Sequence, residues 1–290
     1  MESQRERYET ELAAVRSAYA KQIMLAAGLE DSRLEAAFAK IPRQAFLAPG
    51  PWLIMRPPSG YQMTPDGDPV HLYQNVLVGM ISEKGLNNGH PSSLALLISL
   101  GRPREGEHAV HIGAGQGYYT AIVAELVGGS GRVTAIEYEH ELAKRAMVNL
   151  SAFSQVRVIH GDGTTIALQP ADVIYVNAGA VRPANIWLDA LKDGGRLVLP
   201  LTVSYTFEGC AMTKGAIFLI ERRGEDYLAS WKSDFAIYPC AGGRDEVSEK
   251  ALASAFQKGG WDKVTRLYRT TAIQEERCWV IGPDWSLAYS

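Results

Sequence analysis

Between residues 6 and 26 apolar side chains recur at helical spacing, with Leu12, Val15, Tyr19 and Ile23 on one stripe, which predicts an amphipathic helix. Asp31 then occupies an N-cap position ahead of a second helical stretch over 34–41. The periodicity stops there. Pro42, Pro49, Pro51, Pro57, Pro58, Pro65 and Pro69, interleaved with glycines, exclude long regular elements over 42–69 and predict a connector or lid-like loop. A short apolar run at 76–81 reads as a strand, Lys84 and Gly85 turn the chain, and helical sequence resumes at Ser92.

The middle of the chain repeats one unit: an apolar run, a glycine or acid at its end, then an amphipathic stretch. The runs at 109–112, 132–136, 156–159, 173–176 and 196–199 are rich in β-branched residues and suit strands buried on both faces. Between them, 119–127, 139–150 and 184–191 carry helical periodicity, and this alternation predicts βαβ units, a mostly parallel sheet and a doubly wound α/β fold. After Pro200 the pattern changes. Runs at 206–212 and 216–221 flank Thr213, Lys214 and Gly215, which predicts a β-hairpin turning at those three residues on the sheet edge. A helical stretch at 250–257 and an apolar segment at 279–281 follow. The chain therefore divides into N-terminal helices with a proline-rich loop (1–75), an α/β domain (76–242) and a C-terminal extension (243–290). Trp261, Trp279 and Trp285 read as packing residues of that extension, which forms a lid over a cleft, a homodimer contact or a small lobe; the sequence leaves the three open.

Composition narrows the functional classes. With 47 % hydrophobic and 21 % charged residues among 290, the chain has the balance of an ordinary folded protein. A net charge of −3 gives no electrostatic footprint for nucleic acid or an anionic membrane. No apolar run reaches the roughly 18 residues of a membrane span, and the charged opening MESQRERYETE lacks the apolar core of a signal peptide, so the expected location is cytoplasmic. Cys210, Cys240 and Cys278 are widely spaced without a CxxC pair, which supports reduced thiols and no metal site.

The segment VHIGAGQGYYT at 110–120 is a strand running through glycines into a helix, an arrangement that lets a ligand approach the backbone and the helix N-terminus. Its glycines are Gly113, Gly115 and Gly117. A dinucleotide fingerprint needs glycine at 118, and Tyr118 stands there, which disfavours a nicotinamide cofactor. Glu137 closes the second strand and Asp162 the third. Acids at two consecutive strand ends beside the turn converge on one crevice, where they can accept hydrogen bonds from a ribose and an adenine.

On these residues the chain resembles the Rossmann-like S-adenosylmethionine-dependent methyltransferases and, more closely, the protein-L-isoaspartate (D-aspartate) O-methyltransferase family. The resemblance spans about 41–242. Its further landmarks are PRQAF at 42–46, the stretch 85–95, GDG at 161–163, VNAGA at 176–180, LKDGGRLVLP at 191–200 and IER at 220–222. It implies S-adenosyl-L-methionine as cofactor, with candidate contacts at His111, Gly113, Ala114, Gly115, Gly117, Tyr118, Glu137, Tyr138, Asp162, Gly163 and Asn177. The glycines would face the methionine part, Glu137 the ribose, Asp162 and Gly163 the adenine, and Asn177 or Ala178 the transferred methyl. The family's substrate-side loop reads T-I-S-x-P, whereas this chain has NNGHP at 87–91, so Gly89 stands at the serine position with His90 and Ser92 beside it. Gly89, His90 and Ser92 are accordingly the candidate catalytic positions.

A carboxylate acceptor is ionised at neutral pH and needs no base; an amine or phenol would, and His90 and His71 are the nearest. Tyr61, His71, Tyr73, Gln74 and Asn75 precede this loop and are expected to form a lid or substrate wall. The expected activity is esterification of a carboxylate, with L-isoaspartyl residues as the family-implied acceptor. Alternatives are the same chemistry on another peptide or small molecule, or a non-catalytic S-adenosylmethionine-binding protein.

Overall fold

The structure is a computed structural model and describes residues 4–207 and 210–290. Two helices open the chain, α1 (Gln4–Ala27) and α2 (Ser32–Lys40). The Asp31 carboxylate accepts the amides of Arg33 and Leu34 at 3.1 and 3.0 Å and so starts α2, which buries Leu34, Ala37 and Phe38. The proline-rich stretch contains one minimal hairpin, β1 (Leu53–Met55) with β2 (Tyr61–Met63), and a second, β3 (Gly79–Ile81) with β4 (Leu86–Asn87), follows. Of the strand expected over 76–81, only the last three residues belong to β3. The carbonyls of Val76 and Leu77 are taken instead by the Arg43 guanidinium and the Met55 amide.

The α/β portion comprises α3 (Pro91–Gly101), β5 (His108–Ile112), α4 (Tyr118–Val127), β6 (Arg132–Glu137), α5 (His140–Asn149), β7 (Val156–His160), β8 (Ala171–Val176), α6 (Asn185–Ala190), β9 (Leu191–Phe207), β10 (Cys210–Arg223) and β11 (Asp226–Phe235). After it come α7 (Glu246–Lys258), β12 (Arg266–Tyr268), β13 (Cys278–Ile281) and β14 (Ser286–Ala288). Ten strands form one sheet in the order β13-β14-β12-β11-β10-β9-β8-β5-β6-β7. The run from β9 to β7 is parallel and the rest antiparallel. Successive strands run outward from β5 to β7, and the chain then returns to place β8 on the other side of β5. The order reverses between β5 and β8, which is where an open α/β sheet leaves a crevice at its carboxyl ends.

Strand alternation divides the core. Ala109, Val173, Tyr175, Val198, Ile217 and Leu219 face a cluster with α1 to α5, while Val110, Ile112, Ile174, Val176, Leu197, Leu199, Phe218 and Ile220 face the side covered by α6, α7 and the tail. The turn expected at Thr213, Lys214 and Gly215 is displaced. These residues lie inside β10, opposite Ser204, Val203 and Thr202 of β9, and the connection falls at 208–209, outside the described residues. Gly215 marks a close backbone approach: a Cβ there would lie 1.9 Å from the Leu201 carbonyl oxygen. Nor is this pair the sheet edge, because β11, β12, β14 and β13 extend the sheet beyond it.

The extension thus supplies strands to the main sheet. Trp279 and Trp285 are buried, with the Trp279 ring 5.5 Å from Phe218. Cys240 and Cys278 are free thiols, and the Cys210 side chain lies outside the described residues. No helix among the described residues is long and apolar enough to cross a membrane.

Candidate functional site

Two adjoining cavities lie at the carboxyl ends of β5, β6 and β8. The larger, about 680 Å³ and partly open to solvent, has Gly113, Ala114, Gly115, Tyr118, Glu137 and Asn177 among its walls, together with Arg43, Met80, Asn88 and Tyr238. The second, about 510 Å³, is bounded by Ile112, Tyr138, Gly163, Ala178, Pro239 and Cys240, among others. Leu86, Gly113, Glu137 and Tyr238 border both, so the cavities form one elongated cleft with Glu137 at its waist.

Main-chain geometry makes this shape. Gly113 and Gly115 hold φ of 81° and 57°, a left-handed region that favours glycine, and a Cβ on Gly113 would stand 3.1 Å from the Asn177 carbonyl oxygen. Gly117 is the left-handed N-cap of α4, pressed so closely on Leu150 that an added Cβ would lie 2.7 Å away; it shapes the turn from behind the cleft. The Glu137 carboxylate accepts the Gly115 amide at 2.6 Å and the Glu139 amide at 2.9 Å. Burial pushes its pKa up, against these two amides, which favour the charged form.

Besides Gly117, two expected cofactor contacts, His111 and Asp162, border neither cavity. The His111 side chain is fully buried on the α4 side of the sheet, where Nδ1 meets the Thr120 hydroxyl at 2.9 Å and the ring stacks on Tyr175 at 4.5 Å. Strand alternation turns it away from the crevice that its neighbour Ile112 borders. Asp162 binds the Thr164 amide and hydroxyl at 2.8 and 2.7 Å and abuts Gly242, holding the loop whose Gly161 and Gly163 form the wall.

The substrate-side positions shift as well. Gly89, His90 and Ser92 border neither cavity; Leu86, Asn87 and Asn88 do. Ser92 Oγ lies 3.2 Å from His90 Nδ1 and accepts from Asn75 Nδ2 at 3.0 Å, and the Asn75 side-chain oxygen accepts the Ser92 amide at 3.0 Å, a network that braces the start of α3. Burial and the Arg43 charge lower the pKa of His90. His71 pairs with Asp66 at 2.9 Å, Tyr73 is buried against Tyr19, and neither borders the cleft.

The ties that form the outer wall have no signature in residue spacing. Lys84 Nζ lies 2.5 Å from Glu139, and the Tyr238 hydroxyl donates to the Lys84 carbonyl at 3.2 Å, so the β3–β4 hairpin is strapped across the cleft. Residues 238–244 in turn are sewn to the end of β8. The Gly179 amide donates to the Tyr238 carbonyl at 2.8 Å, the Cys240 amide to the Gly179 carbonyl at 2.9 Å, and Arg244 bridges that carbonyl to Thr202 and to Glu249 of α7. Nothing but turn-forming composition marks this segment in the sequence.

Comparison with known proteins places these features. The family model for protein-L-isoaspartate(D-aspartate) O-methyltransferase matches residues 72–222. The chain is 41 % identical over 115 residues to protein-L-isoaspartate O-methyltransferase 2 of Archaeoglobus fulgidus, covering 38 % of this chain and 52 % of the relative. It is 42 % identical over 145 residues to protein-L-isoaspartate O-methyltransferase 1 of the same organism, covering 49 % and 63 %. The chain therefore spans between half and two thirds of the length of these relatives. A structure described as a β-aspartate methyltransferase from Plasmodium falciparum, in complex with S-adenosyl-L-homocysteine, aligns with a TM-score of 0.61 at 16 % identity over 78 % of this chain and 98 % of that one, a likeness of fold.

Proposed function

Since the chain belongs to the protein-L-isoaspartate(D-aspartate) O-methyltransferase family, we propose that it is an S-adenosylmethionine-dependent O-methyltransferase that esterifies a carboxylate, the family-implied acceptor being an L-isoaspartyl residue of a protein or peptide. The observation that carries this reading is the elongated cleft pinched at a buried carboxylate beside a glycine turn.

The residues present fit the cofactor. Ile112, Ala178 and Pro239 give one end an apolar lining suited to adenine, and Glu137 offers acceptor oxygens for ribose hydroxyls at the waist. At the other end, Gly115 is a wall residue whose Cβ would reach within 3.6 Å of Met80, closing space that a methionine moiety needs. When bound, S-adenosylmethionine supplies a methyl group on a sulfonium, open to in-line displacement. The protein's contribution is position and exclusion of water: Met80, Leu86 and Tyr238 cover the cleft, and a carboxylate acceptor arrives already ionised. His90, its pKa lowered, is neutral at pH 7 and is not required as a base. A cytoplasmic setting belongs to the same reading, on the strength of the unpaired Cys240 and Cys278 thiols.

Calorimetric titration with S-adenosylhomocysteine, followed by labelled S-adenosylmethionine with an isoaspartyl peptide and its aspartyl twin, tests the proposal. Saturable binding and base-labile label on the isoaspartyl peptide alone are expected. Binding without label would redirect the chemistry to another acceptor, and no binding would remove the cofactor assignment.

A further inference from the structure

The acceptor end of the cleft holds a buried charge that has no counter-ion among the described residues. Arg43 has 0 % exposure, and its η nitrogens donate to the carbonyls of Leu72, Gln74 and Val76 at 2.7, 3.1 and 2.8 Å and to Asn88 Oδ1 at 3.1 Å. None of these partners is a carboxylate, and Nε has no partner. A guanidinium buried in this way is costly unless its charge is balanced, and carbonyl dipoles balance it only in part. Arg43 is a wall of the adjoining cavity, where an anion would complete the balance.

Asn88 couples that charge to the cavity. Its Oδ1 accepts from both the Val78 amide at 3.0 Å and the Arg43 guanidinium, so the amide group cannot turn over without setting its own N–H groups against two donors. Nδ2 is thereby fixed on the opposite side. It is buried and has no partner, and Asn88 lines the same cavity. Two unused N–H groups polarised by a cation behind them suit a negatively charged oxygen. Position 89 offers no such help: Gly89 has no side chain, and its φ of 78° is a left-handed backbone in which any side chain is strained, with the Leu94 side chain 2.9 Å from where a Cβ would stand.

We propose that Asn88 Nδ2, backed by Arg43, holds the carboxylate of the methyl acceptor and so selects an anionic substrate, one residue before the position at which the family loop carries serine. This rests on the reading of the cleft as a methyltransferase site.

The test uses the full chain saturated with S-adenosylhomocysteine, titrated calorimetrically with the isoaspartyl peptide and its aspartyl twin, alongside initial rates with labelled S-adenosylmethionine. Asn88→Asp replaces the donors with a repelling oxygen, and Asn88→Ser shortens the side chain without adding charge. Expected are losses in peptide affinity of about a hundredfold and about tenfold respectively, carried mainly by KM, with S-adenosylhomocysteine affinity unchanged. Unaltered peptide affinity in Asn88→Asp overturns the inference while leaving the methyltransferase reading intact. Loss of S-adenosylhomocysteine binding in both variants also overturns it, by making Asn88 a structural brace. A wild-type protein that binds S-adenosylhomocysteine but neither binds nor methylates the isoaspartyl peptide removes the proposed acceptor, and this role with it.

Discussion

Glu137 is held in two opposing ways: its surroundings disfavour the charge that the Gly115 and Glu139 amides favour, and the balance leaves its pKa raised. Ribose hydroxyls donate to an ionised carboxylate more strongly than to a neutral one, so binding must be linked to loss of a proton. S-adenosylhomocysteine affinity is therefore expected to fall on acidification in a window beginning above the ordinary glutamate range, and Glu137→Gln to bind more weakly with a flat profile; calorimetry between pH 8 and 5 reads both. His111 behaves differently. Burial alone lowers its pKa to about 3. Its imidazole is neutral in the fold but takes up a proton in the unfolded chain below about 6.5. Stability from this residue is complete above that value and declines as pH drops towards 3. Thermal unfolding midpoints should fall between pH 7 and 5, with a shallower slope in His111→Phe. That Gly113, Gly115 and Glu137 stand at the cleft was legible in the sequence, because a strand end followed by a turn fixes where they lie. His111 and Asp162 were not, since neither the face of a strand nor the direction of a loop carboxylate is written in spacing.

At the level of elements, helices were readable where an amphipathic pattern had one dry side, as in α2 and α5, and parallel strands where a short apolar run is buried on both faces, as in β5 and β8. The β9–β10 pair misled because its strands run 17 and 14 residues, long enough to carry polar Thr213 and Lys214 in mid-strand. The proline-rich connection was rightly expected to lack long elements, and besides its own hairpin and local hydrogen bonds a single distant side chain ties its end in place. Arg43, at the start of a short 3-10 turn, ties together 72–76 and the asparagine loop. Arg43→Met leaves the Leu72 and Val76 carbonyls without their donor and takes one of two donors from the Gln74 carbonyl and from Asn88 Oδ1, which should cost about 3 kcal/mol in urea denaturation. Spacing could not reveal this tie, whose partners lie some 30 to 45 residues away along the chain.

Across the whole molecule, one sheet unites the parallel half that frames the cleft and the antiparallel half that ends the chain. Leu252, Trp279, Trp285 and Leu287 share a core with Leu199, Phe218 and Ile220. Ending the chain after Gly243 would expose that face, and size-exclusion chromatography with light scattering should show aggregation. The seam at 238–244 gives this continuity a further meaning. Its first residues border the cleft, and Arg244 at its end grips α7 through Glu249. A molecule that settles against Pro239 and Cys240 thus restrains the root of the tail as well, and amide hydrogen exchange in α7 should slow when S-adenosylhomocysteine is added. The C-terminal helix then serves as a built-in reporter of occupancy, responding to a ligand that it does not touch.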